Sequence, residues 1–132
     1  IKDILSKENH TIVILKKDAS VLTSDDRGVS PLIKLLKEDK LKLKDLIIED
    51  KVVGKAAALL IIVNEVKEVY TPSISKPAIK VFNINNVKIN YDIEVDRIIN
   101  RKGDGLCPME TLCLDIDNPK EAFERLSNKI GI

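Results

Sequence analysis

The sequence predicts one α/β domain over residues 1–132, built on a mixed sheet in which an antiparallel hairpin edges a set of parallel strands. Three observations carry this. Apolar β-rich runs alternate with helix-patterned segments through short connectors, two strand-like runs open the chain with only a polar turn between them, and one segment, Ala56–Val63, is apolar on every face. Strands separated by helices pair in parallel through right-handed crossovers. A helix without a polar face must be packed all round, which places Ala56–Val63 centrally against the sheet.

The elements follow in order. Thr11–Leu15 and Val21–Thr23 flank the turn Lys16-Lys17-Asp18-Ala19 and read as the hairpin. Ser30-Pro31 supplies an N-cap and a first-turn proline, and Leu32, Ile33, Leu35 and Leu36 carry an amphipathic helix to about Lys40. Leu46–Glu49 is a short buried-type strand, and Gly54-Lys55 leads into the apolar helix. Glu68–Thr71 is the next strand, Pro72 and Pro77 bracket a connector, a helix covers Ala78–Asn83, and Val87–Tyr91 is a further strand. Val95–Ile99 reads as a short helix or turn. A loop at Gly103–Gly105 then runs into a helix from Pro108 to about Leu114, and the last helix spans Pro119 to about Lys129 with Ala122, Phe123 and Leu126 inward.

Composition excludes several classes. A chain of this length buries roughly two-thirds of its unfolded surface in one core and needs no disulfide staples. With 44 % hydrophobic and 33 % charged residues it is neither a disordered nor a membrane chain. The 22 Lys and Arg against 21 Asp and Glu leave a net charge of +1, too little for a nucleic-acid binder that neutralises phosphates along a basic face. Aromatics at 3 % without Trp leave no stacking platform. The longest apolar run is too short to span a bilayer and is broken by Lys55, so no membrane is expected. Cys107 and Cys113 would sit about 120° apart on a helix, which disfavours a disulfide between them. With no signal peptide at the start, the expected setting is a reducing cytoplasm.

Chemistry concentrates on Asn100-Arg101-Lys102-Gly103-Asp104-Gly105-Leu106-Cys107-Pro108-Met109-Glu110, a glycine-loosened loop entering a helix. A helix start presents unpaired N–H groups and partial positive charge, a setting that favours thiolate. Cys107 is therefore a candidate nucleophile. Equally, Cys107-Pro108-Met109-Glu110 imitates a capping box, with Cys in place of Ser and Glu at the third helical position. Lys55 opposes the dipole of its own helix, so an anionic ligand, Glu110 or solvent should compensate it, or else its ammonium snorkels to the surface. A phosphate loop is excluded, because Glu49 stands where its first Gly is needed and Ala56 where Ser or Thr is needed. His10, the one histidine, sits in a turn, Arg27-Gly28 lies in a loop that can reach a ligand edge, and Cys113 reads as core. No Ser/His/Asp set and no His/Cys cluster with zinc spacing can be assembled.

Arg27-Gly28-Val29, Asp50-Lys51-Val52-Val53-Gly54-Lys55-Ala56-Ala57-Ala58 and the segment from Asn100 to Glu110 resemble the DUF1893 family, and the order of elements resembles the cytidine deaminase-like fold. The resemblance implies a three-layer α-β-α sandwich with a mixed sheet. Zinc deaminases carry His or Cys, any residue, then Glu on the central helix, and Pro-Cys-x-x-Cys on a second helix. Overlaid here, the first ligand falls on Lys55, the general base on Ala57, the proline on Leu106, one cysteine on Cys107 and the last ligand on Glu110. Lysine is a poor zinc ligand and Ala57 moves no protons, so no metal and no cofactor are expected.

Two functions follow as expectations. In the first, a metal-independent enzyme uses Cys107 as nucleophile, Lys55 to stabilise thiolate or an anionic substrate, and Glu110 as acid/base or as the group holding Lys55. In the second, a non-catalytic module binds a nucleotide-like or phosphorylated small molecule at two helix N-termini, with Gly54, Arg27, Asn100, Arg101, Gly103, Asp104 and Gly105 around it. The resemblance adds a homodimer.

Overall fold

In the computed structural model the chain is described at residues 12–15, 21–24, 32–33, 47–63, 66, 68–99, 103 and 105–130. Strands β1 (Ile12–Leu15) and β2 (Val21–Ser24) form the opening antiparallel hairpin, with Ile12 opposite Ser24. β1 also pairs antiparallel with β3 (Ile47–Asp50). Of the predicted helix after Ser30, Leu32 and Ile33 are helical and buried, and its remainder lies outside the described residues.

β3 and the short β4 (Val52–Val53) are one strand interrupted at Lys51. Both pair in parallel with β5 (Glu68–Ser75), Ile47 with Glu68 and Val52 with Ser73, so the register is unchanged across the break. β5 also pairs in parallel with β6 (Lys88–Val95), from Glu68 with Lys88 to Ser75 with Val95. The row through Pro72, whose nitrogen has no proton to donate, is missing from both ladders, and on the β3/β4 side the row through Thr71 is missing as well. The resulting mixed sheet runs β2-β1-β3/β4-β5-β6.

Pro72 does not end the strand, contrary to the sequence expectation. A proline removes one donor, and the apolar alternation beyond it, ending in buried Ile74, keeps the chain extended. Pro77 likewise opens a helix instead of closing a connector. Ser75 Oγ accepts the Ala78 amide at 3.2 Å as N-cap of α2 (Lys76–Ile84), where a proline in the first turn loses nothing. β6 runs to Val95, past the expected end at Tyr91. The expected helix or turn at Val95–Ile99 is a bend, followed by a bridge between Ile99 and Leu106.

α1 (Lys55–Val63) follows β4 and buries Ala56 to Ile61 without a gap. Burying Leu59, Leu60 and Ile61 contributes about 1.5–3 kcal/mol each. α1 packs against α2 and against the C-terminal α4 (Pro119–Ile130), and the core between them and the sheet holds Ile48, Val69, Ile74, Phe82, Cys113, Ile116, Ala122 and Leu126. The short α3 (Pro108–Leu112) ends two residues before the expected Leu114 and sits beside α1. Among the described residues no helix is long and apolar enough to cross a membrane.

Candidate functional site

The start of α1 is closed by Glu110, reaching across from α3. Its Oε1 accepts the Lys55 amide at 2.7 Å and its Oε2 accepts the Ala56 amide at 2.8 Å. These are two of the helix's orphan donors, and the carboxylate also meets the positive end of the dipole. Gly54 makes this possible. A Cβ there would collide with Glu110 Oε1 and come within 2.8 Å of Ile98 Cγ1, so the position requires glycine for space.

Burial nevertheless raises the Glu110 pKa, because loss of hydration outweighs the two amide hydrogen bonds and the nearby Lys55 charge. Lys55 sends its side chain away from its own helix start. The ammonium donates to Leu114 O at 3.1 Å, just beyond α3, and pairs with Asp117 Oδ1 at 3.2 Å. Glu110 thus supplies the compensation that Lys55 called for, and the Lys55 side chain in turn satisfies a carbonyl beyond α3.

Cys107 is the N-cap of α3 by position, but its thiol makes no capping hydrogen bond. The capping-box expectation is corrected on both sides. Sulfur is a weak acceptor, the Cys107 amide donates to Ile98 O at 3.0 Å, and Glu110 serves α1 instead of its own helix. The Cys107 carbonyl accepts from the Thr111 amide at 3.0 Å and the Thr111 hydroxyl at 3.3 Å. Cys113 is fully buried, and burial together with the Glu110 charge pushes its thiol up to about 11.

Gly103, at φ +75°, needs the glycine backbone, and Gly105 follows in the same loop. Arg27, Asn100, Arg101 and Asp104, and also His10, lie outside the described residues. Among the described residues no three His, Cys, Asp or Glu side chains are grouped to hold a metal ion.

Two cavities adjoin this point and share Lys55, Pro77 and Arg97 in their walls. The smaller, about 80 Å³, lies over Glu110 between Ile98, Leu106 and Leu114. The larger, about 660 Å³, is lined by Lys55, Lys76, Lys80 and Arg97 with Asp96 and Asp117. Cys107 lines neither. The sheet explains the cations: β5 and β6 end level, at Ser75 and Val95, β4 ends one row earlier at Val53, and each is followed within two residues by a cation, Lys55, Lys76 or Arg97. Crevices beyond the carboxyl ends of parallel strands are where open α/β sheets take ligands.

Lys76 pairs with Asp96 at 2.8 Å, which raises the lysine pKa and lowers that of the aspartate through their hydrogen bond. Lys80 and Arg97 form no ion pair among the described residues. Sequence reasoning missed Lys76, Lys80, Asp96 and Arg97. Ending β5 and β6 early hid the common level at which their cations stand.

The family model described as a domain of unknown function, DUF1893, matches residues 1–130. The chain belongs to the DUF1893 family. A crystal structure of a DUF1893 protein from Thermotoga maritima superposes with a TM-score of 0.88 at 28 % identity, covering 97 % of this chain and 86 % of that one. Family membership therefore agrees with the mixed α/β architecture. No curated protein matches the chain.

Proposed function

We propose that this DUF1893 protein is a binding module for a small anionic molecule, nucleotide-like or phosphorylated, held in the crevice beyond the carboxyl ends of β4, β5 and β6. The observation that carries the reading is the row Lys55, Lys76 and Arg97, one cation per strand end, joined in the wall by Lys80 and opposed, among the described residues, by Asp96 and Asp117. Asp117 pairs with Lys55 at 3.2 Å and Asp96 with Lys76 at 2.8 Å, which leaves Lys80 and Arg97 as the cations of the wall without an ion pair among the described residues. A crevice with an excess of one sign of charge concentrates ligands of the other.

A cytidine deaminase-like three-layer sandwich is the architecture we assign to it. The strand order β2-β1-β3/β4-β5-β6, with an apolar helix after β4, supports that assignment. Where such a fold would carry zinc, this chain has Glu110 on the amides of Lys55 and Ala56, which favours a site working without metal or cofactor. Catalysis by Cys107 with Lys55 and Glu110 has less in its favour, since both Glu110 oxygens accept amides and the Lys55 ammonium is turned to Leu114 and Asp117. The free cysteines Cys107 and Cys113 suit a reducing cytoplasm.

The test is a thermal-shift and calorimetric panel of pyrophosphate, nucleoside mono-, di- and triphosphates and sugar phosphates. A true ligand at a hundredfold excess over Kd stabilises the fold by about 2.7 kcal/mol. Arg97→Ala and Lys80→Ala should weaken binding, and added salt should weaken it further. A flat response across the panel sinks the reading.

A further inference from the structure

β6 closes one side of the sheet, and among the described residues no strand pairs with its outer edge. It is eight residues long, KINYDIEV, with no proline or glycine to blunt it. A bare edge of this length is a template for another strand. Its side chains alternate, Ile89, Tyr91, Ile93 and Val95 on one face and Lys88, Asn90, Asp92 and Glu94 on the other. Ile89 packs against the core, but Tyr91 is 42 % and Ile93 is 61 % exposed.

We infer that this edge is the contact between two copies of the chain, β6 pairing antiparallel with β6 across a two-fold axis at Tyr91. The sequence of the strand selects this register. An axis at Tyr91 sets Ile89 opposite Ile93, Lys88 opposite Glu94, Asn90 opposite Asp92 and Tyr91 opposite itself, with each of the first three pairs made twice. Lys88 is free to turn toward it, since its present contact with Glu68 is long, 3.8 Å, and its side chain is 70 % exposed.

The competing registers are poorer. An axis at Asp92 sets two like charges directly opposite each other, and an axis at Asn90 leaves Glu94 and Val95 against Asn86 and Asn85, outside the strand. An axis between two residues sets apolar side chains opposite polar ones all along the edge. Charge and apolar patterning therefore agree on one self-complementary arrangement, whose closed two-fold joins the two sheets into one. The occupant is a second copy rather than an unrelated extended peptide, because the strand answers its own pattern.

Sedimentation equilibrium on the whole chain tests this. The unaltered protein should dimerise reversibly. Lys88→Glu and Glu94→Lys should each weaken the dimer by roughly tenfold or more, since one reversal introduces two like-charged pairs. The double variant Lys88→Glu/Glu94→Lys, which restores opposite charges, should recover the dimer to within a few-fold of the original. Circular dichroism of all four proteins should coincide. A monomer at every concentration, including one whose edge accepts an extended peptide instead, overturns the inference, and so does a dimer that neither single reversal weakens or that the double variant fails to restore.

Discussion

Glu110 lies so close over Gly54 that no side chain fits between them, and from there its carboxylate spans the first two amides of α1. The contact joins residues more than fifty positions apart and ties α3 to the end of the central strand. Gly54→Ala should force Glu110 off both amides, at a cost of about 2–4 kcal/mol. Urea denaturation measures it. In the Glu110→Ala background the same alanine should cost less, because the carboxylate it strikes is gone and only the contact with Ile98 Cγ1 remains.

Glu110→Gln keeps the shape but offers one acceptor and turns an NH2 toward the second amide. A loss of about 1–3 kcal/mol is expected, against a larger loss for Glu110→Ala, which leaves two helix donors bare. Equal stability of parent and Glu110→Gln would mean that the two amides are not a needed pair.

Asp50 makes stability depend on pH. Burial pushes its carboxyl up from 3.8 to about 8, against backbone hydrogen bonds from Lys51 and Val52. The folded chain thus keeps a proton that the unfolded chain has released, and the stability this contributes is complete below the unfolded value and lost as pH rises through the folded one. The raised Glu110 pKa acts in the same direction. Unfolding free energy should therefore fall between pH 5 and 8, by up to about 1.4 kcal/mol per unit for Asp50 alone. Asp50→Asn should flatten that slope, which denaturation at a series of pH values will show.

Lys55 and Asp117 contribute unequally to their ion pair. Asp117 is 96 % exposed, so Asp117→Asn should change stability by under about 0.5 kcal/mol. Lys55→Met also strips the Leu114 carbonyl of its donor and should cost about 1 kcal/mol. Comparing denaturation midpoints of the two variants separates the contributions.

The two thiols should differ in reach. Cys113 is wholly buried with its thiol pushed up to about 11, so iodoacetamide at pH 8 should leave it unmodified until denaturant is added. Cys107 is half-buried and should carry any native-state label. Mass spectrometry of the labelled chain decides, and rapid native labelling of Cys113 would contradict the packing.

Much of the fold was legible because local physics suffices for it. The hairpin, the wholly apolar α1 and the proline-started α3 and α4 follow from patterning and caps. Pro72 misled because a missing donor reads as a stop, whereas the parallel register on both sides carries the strand past it. Glu110 was picked out by sequence both as a local cap and as a group that could compensate Lys55, but not as the acceptor of the Lys55 and Ala56 amides. Its actual partners lie on another helix, and no spacing within Cys107-Pro108-Met109-Glu110 encodes that. The cation row was invisible for a related reason: Lys55, Lys76 and Arg97 come near one level only once three strand lengths are known.

Glu110 also decides what kind of selectivity the neighbouring crevice can have. A carboxylate tethered on the Lys55 and Ala56 amides competes with any incoming anion at the effective concentration that the fold imposes. Backbone recognition at α1 is thus spent inside the molecule. For the proposed anionic ligand, discrimination would fall to Lys76, Lys80 and Arg97, whose long side chains read charge and its spacing rather than the tight geometry of a peptide cradle.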